Sequence, residues 1–137
     1  MNTHHFRLRF CGLMLGFGLA SHAVAGDIVV IMAPSAAPVT KEQLANVYLG
    51  RSFDYKPLDL PEAAAIHDEF YKKATGREAS QVKTLWSRLV FTGHATAPKV
   101  LADAAAVKKA VAADPKSVGY IDKADVDDTV RVVMSLD

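Results

Sequence analysis

Four residues of this 137-residue chain have types suited to holding a small anion: Ser35, Arg88, Thr92 and Gly93. Hydroxyls and backbone N–H groups donate to oxyanion oxygens, and a guanidinium offers a rigid fork of donors that suits a tetrahedral oxyanion. Ser35 follows the apolar run Asp27 to Ala33, so it belongs to a loop at the carboxyl end of an expected strand, where open α/β sheets hold ligands. Arg88 falls on the polar side of an expected helix, beside Gln81 and Thr84, while Thr92 and Gly93 follow that helix's last periodic residue. Each also has an ordinary role. Ser35 is then a loop serine, Arg88 a solvated or salt-bridged cation, and Thr92-Gly93 a helix stop whose last carbonyls need partners. Trp86, the chain's only tryptophan, lies in the apolar stripe of the same helix and is assigned to the core.

Other chemistries fit less well. Beyond the amino-terminal segment, His67 and His94 are the only histidines and have no ligand-spaced partner, whereas a zinc site needs three or four convergent ligands. Asp122, Asp125, Asp127 and Asp128 suggest calcium, but the segment lacks the glycine and closing glutamate of an EF-hand loop and reads as a solvated turn. Neither a metal nor another cofactor is expected. Ser87 and His94 with an aspartate supply the residue types of a catalytic triad, yet there is no G-x-S-x-G elbow, no glycine-rich phosphate loop and no H-E-x-x-H. The sequence therefore predicts no enzyme.

The elements that must position these residues begin after residue 25. Arg7 and Arg9 precede an apolar run from Phe10 to Leu19, and Ala23-Val24-Ala25 supplies small residues for cleavage, the pattern of a secretory signal peptide over 1–25. The run is shorter than the roughly 20 apolar residues a membrane span needs, and no second one follows, so no span is expected in the mature chain. Cleavage would remove 25 residues and leave 112, over 26–137, which suits one domain. It also removes Cys11, the single cysteine, and two of the 16 basic residues, leaving 14 against 15 acidic ones and a net charge of −1. Nothing in that balance points to nucleic acid or an anionic membrane as partner.

Along the domain, Asp27 to Ala33 reads as a strand buried on both faces, which requires helices on either side. Thr40 with Gln43 forms a capping-box pattern for a helix that buries Leu44, Val47 and Tyr48 and stops at Gly50. Tyr55 to Leu60 is a short extended segment. Asp59 then reads as the cap of a second helix, with Pro61 in its first turn, that buries Ile66, Phe70, Tyr71 and Ala74 and ends near Gly76. A third helix from about Glu78 carries Val82, Leu85, Trp86 and Leu89 at single-face spacing. Asp103 caps a fourth, through Val107 and Val111, which Asp114-Pro115 terminates. Two strands follow, Val118 to Ile121 and Val130 to Met134. The expected fold is one α/β domain with a small mixed sheet and about four helices.

Three stretches, "VTKEQLANVYLGR", "FYKKATGREASQVKTLWSRLVFTGHATAPKVL" and "VAADPKSVGYID", resemble the small periplasmic proteins related to phosphate-binding components of ABC transporters, in the type II periplasmic-binding-protein class. The resemblance covers most of residues 27 to 134. It implies one lobe of such a protein: a periplasmic solute-binding-type module holding phosphate or a similar oxyanion and passing it to a membrane transporter or receptor. Two departures accompany it. Full-length relatives have two lobes, and they place a Ser-Gly-Thr element at a helix start where this chain has Pro61-Glu62-Ala63-Ala64-Ala65. Glu62 puts a negative charge at a position that otherwise favours anions. The alternative is an interaction protein that kept the fold, lost the ligand and docks on a membrane receptor, sensor kinase or transporter.

Overall fold

Strand β1 (Ile28–Met32) is buried along its whole length, as its unbroken apolar run requires. The structure, a computed structural model, describes residues 27–137; the expected signal peptide over 1–25 lies outside the described residues. After β1 come α1 (Lys41–Tyr48), β2 (Lys56–Asp59), α2 (His67–Thr75), α3 (Ala79–Phe91), β3 (Lys99–Val100), α4 (Ala104–Ala113), β4 (Ser117–Asp122), a single 3₁₀ turn, and β5 (Arg131–Leu136). The five strands form one mixed sheet in the order β3-β2-β4-β1-β5. This is the α/β domain the sequence leads one to expect, with β3 as an added edge strand.

Strand direction has a consequence for any site. β1 is antiparallel to both β4 and β5, whereas β2 is parallel to β3 and β4. Four strands therefore run one way and β1 alone runs the other. The carboxyl ends of β2, β3, β4 and β5 share one edge of the sheet, and the carboxyl end of β1 lies at the opposite edge.

Helices cover both faces. Successive residues of a strand point to opposite sides, and β4 uses this sharply. At Gly119 a Cβ would come within 2.6 Å of Val107 Cγ1, so α4 presses on that face. On the other face the ring of Tyr120 stacks on Phe70 of α2, with centroids 3.6 Å apart and planes 4° apart. Tyr48 of α1 packs its edge against Phe70 at 4.8 Å. Its hydroxyl donates to the Leu58 carbonyl at 2.6 Å. Trp86 of α3 donates its indole N–H to the Tyr48 carbonyl at 2.8 Å. This aromatic group ties three helices to the sheet through rings that also find hydrogen-bond partners, the condition for burying tyrosine and tryptophan.

Local signals govern the helix ends. The Thr40–Gln43 capping box forms in both directions, and Asp103 caps α4 through the Ala106 N–H at 2.9 Å. The second helix begins later than expected: α2 starts at His67, not beside Asp59. Asp59 is instead the last residue of β2, and its carboxylate turns into the core. Residues 61–67 make tight turns, with Ala64 N–H donating to the Pro61 carbonyl at 2.9 Å and His67 N–H to the Ala64 carbonyl at 3.1 Å.

Candidate functional site

Asp59 is a buried acid that accepts three hydrogen bonds. Its Oδ1 accepts from the Tyr120 hydroxyl at 2.5 Å and the Leu60 N–H at 2.8 Å, and its Oδ2 accepts from the Tyr71 hydroxyl at 2.6 Å. Burying a carboxylate is costly unless such partners replace water. The reciprocal effect falls on the phenols. Burial, followed by the nearby Asp59 charge, pushes Tyr48, Tyr71 and Tyr120 well above the ordinary tyrosine range. Both effects disfavour a phenolate there.

His67, also buried, stands beside this group. Its Nδ1 lies 2.7 Å from Asp68 Oδ1, its Nε2 lies 3.7 Å from Asp59 Oδ1, and its ring tilts against Tyr71 with centroids 5.1 Å apart. The Asp68 carboxylate can only accept, so Nδ1 carries the proton of that bond, and Nε2 is turned toward the Asp59 carboxylate.

Over this floor opens a cavity of about 630 Å³. It sits at the carboxyl ends of β2 and β3, and α3 forms its long wall. Val82, Trp86 and Val90 recur at the spacing of one helix face and line that wall. Phe91 and Val100 stand at the rim, 92% and 58% exposed. Glu62 and Lys83 pair across the mouth at 2.7 Å; the bond from the Lys83 ammonium holds the Glu62 carboxyl below the usual carboxylate range.

The sequence-predicted residues do not converge on this cavity. Ser35 is exposed in the loop after β1, and because β1 runs against the other strands, that loop is at the sheet edge opposite Asp59. Arg88 is exposed and forms no ion pair among the described residues. It is one residue past Ser87, which lines the cavity, and one residue along a helix turns the side chain by about 100°. Thr92 is the C-cap of α3, its hydroxyl bonded to the Arg88 and Leu89 carbonyls at 3.1 and 3.0 Å. Gly93 has φ 73°, and its N–H and that of His94 bond the Val90 and Leu89 carbonyls, the paired arrangement of a Schellman helix end. Asp122 and Asp127 of the acidic segment also have local partners: Asp122 accepts from the Ala124 N–H at 2.9 Å, and Asp127 pairs with Lys108 at 2.8 Å. Trp86 has both positions at once, its ring in the core and one side on the cavity.

Sequence reasoning missed Asp59, His67 and Tyr71 as a group. A signal was available in Leu58-Asp59-Leu60, an acid inside an apolar extended run. Its partners are 12 and 61 positions away in the chain, which no local pattern reveals.

No protein-family model matches the chain, and no curated protein matches it. Solved structures do. An ABC-type phosphate transport receptor from Vibrio cholerae is 18% identical with a TM-score of 0.62, over 79% of this chain and 45% of that one. A putative phosphate ABC transporter substrate-binding protein with bound phosphate, from Clostridium perfringens, is 17% identical with a TM-score of 0.62, over 79% and 44%. PstS from Borrelia burgdorferi is 13% identical with a TM-score of 0.52, over 70% and 40%. At these identities the likeness establishes the fold. The chain spans less than half the length of each structure, which agrees with the expected single lobe.

Proposed function

We propose that this chain is a non-catalytic solute-binding-type module, exported by its 1–25 signal peptide to the periplasm, and serving ABC-type transport or a membrane receptor. The observation that carries the reading is the cavity of about 630 Å³ at the carboxyl ends of β2 and β3, in a fold shared with phosphate transport receptors. Ligand sites in open α/β sheets gather at such strand ends, and a cavity of this size suits a small molecule. Phosphate or a similar oxyanion is the ligand class that the likeness supports. Ser35, Arg88, Thr92 and Gly93, the oxyanion contacts proposed from the sequence, do not line this cavity, so a ligand held by them would lie outside it.

One observation favours the second reading, a ligand-free interaction protein. Val90, Phe91 and Val100 are exposed around the cavity mouth, and apolar side chains clustered on a surface mark partner contacts.

Thermal unfolding of the residue 26–137 protein with and without phosphate, sulfate, small carboxylates and small amines separates the two. A solute at 100 times its dissociation constant stabilises by about 2.7 kcal/mol, a rise of about 10 °C in a domain of this size. If no solute class shifts the transition at millimolar concentration, the solute-binding reading fails and the docking reading replaces it.

A further inference from the structure

The polar floor of the cavity is built around the Asp59 carboxylate, and the protons of the groups beside it are engaged within the protein. The Tyr71 hydroxyl has its one proton on Asp59. The Ser87 hydroxyl donates to the Lys83 carbonyl at 3.0 Å within α3. The Nδ1 proton of His67 points to Asp68, away from the cavity, and Nε2 has no hydrogen-bond partner among the described residues. His67 lines the cavity, with Nε2 3.7 Å from Asp59 Oδ1. Asp59 has accepted three donors and keeps room for another, because a carboxylate offers about four lone-pair sites.

The charges agree. Among the described residues, Asp59 and Glu62 supply two carboxylates to the lining, and Lys83 supplies its one ammonium, which is already paired with Glu62. An oxyanion entering here meets the Asp59 and Glu62 carboxylates and a lysine that is already paired. A positively charged donor meets what it needs, since a buried cation is tolerated where a carboxylate and further acceptors replace its water. Around that floor the walls are apolar: Val82, Trp86 and Val90 along α3, with Phe91 and Val100 at the mouth.

We propose that the cavity takes a molecule with an apolar body and an ammonium-type head, the head seated among Asp59, His67 and Tyr71 and the body along α3, and that it rejects phosphate. The proposal rests on the solute-binding reading and changes its ligand class. Hexylamine, hexanol, hexanoate and inorganic phosphate are the probes, titrated against the residue 26–137 protein by calorimetry and by the fluorescence of Trp86, the chain's only tryptophan. Hexylamine is expected to bind saturably with a change at Trp86, at least about tenfold more tightly than hexanol or hexanoate, with phosphate silent. Asp59→Asn removes that preference. Because Asp59 is also part of the core, Lys83→Met provides the second variant. It alters an exposed side chain, leaves Glu62 unpaired at the mouth, and is expected to tighten hexylamine several-fold. Preferential binding of phosphate or hexanoate, or weaker hexylamine binding in Lys83→Met, overturns the proposal and leaves the solute-binding reading standing, as does hexanol matching hexylamine. Silence of all four probes overturns the proposal, and the broader solute panel then decides the reading it rests on.

Discussion

Raising the pH should unfold this protein steeply, because burial and the Asp59 charge oppose ionisation of three of its four tyrosines in place. Tyr48, Tyr71 and Tyr120 surround the Asp59 carboxylate, and burial, then that charge, raises all three. In the unfolded chain each phenol ionises near its ordinary value of about 10. A folded pKa above the unfolded one means that the stability is fully present below about pH 10 and is lost above it, since only the unfolded state then releases protons. Each tyrosine contributes a slope of about 1.4 kcal/mol per pH unit, about 4 kcal/mol for three. A domain stable by about 5–10 kcal/mol is then exhausted within roughly one to three units above pH 10. Tyrosinate absorbance and far-ultraviolet circular dichroism, followed together, should show these three phenols ionising only as the helices are lost. Tyr71→Phe sharpens the test. At neutral pH it deletes one hydrogen bond to a charged group, about 1.5–3 kcal/mol, or about 6–12 °C in a domain of this size. Above pH 10 it should reduce the slope to about 2.7 kcal/mol per unit. If all four tyrosines titrate near pH 10 with the helical signal intact, the buried network around Asp59 is refuted.

Three further outcomes follow from single contacts. Gly93→Ala should cost about 1–2 kcal/mol, measured by urea unfolding, because its left-handed backbone at φ 73° is strained for alanine; loss of a solute response without that cost would make Gly93 a ligand contact. Gly119→Ala should cost about 1–3 kcal/mol by the same assay, since its Cβ would meet Val107 Cγ1 at 2.6 Å and overpack the interface with α4. The Asp127 carboxyl should titrate at about 2 by NMR, held there first by Lys108 and then by Thr129. Its stabilising effect is present above the ordinary carboxylate value and is lost as the pH falls through about 2, and Lys108→Met should move the titration back up.

What could be read from the sequence was local. The Thr40–Gln43 box, the Asp103 cap, and the faces Leu44/Val47/Tyr48 and Val107/Val111 all depend on residues three or four apart, and they formed as expected. β3 gave no warning because two residues carry no period. Asp59 was misread for a different reason. A cap rule weighs an acid against the next few N–H groups, and here two phenols from distant elements competed for the same carboxylate. A charge-assisted bond to a hydroxyl in the core is stronger than one shared with water at a helix end, so the acid went inward and the helix took its cap at Ile66 instead of Asp59.

Ser35 illustrates what a one-dimensional pattern leaves open even when its element is right. β1 is where the sequence puts it, and Ser35 does follow its carboxyl end. The rule that ligands gather at carboxyl ends presumes that the strands agree in direction. In this sheet β1 pairs antiparallel on both sides, so its carboxyl end belongs to the other edge. The apolar run that marks β1 is the same whichever way it points, because both-face burial selects residue type and not direction. The reversed strand therefore separates Ser35 from the cavity, and Ser35→Ala should leave the Trp86 fluorescence response to any cavity solute unchanged. A response lost in that variant, with unfolding unaltered, would mean that the ligand lies at the β1 edge and that the cavity over Asp59 is not its seat.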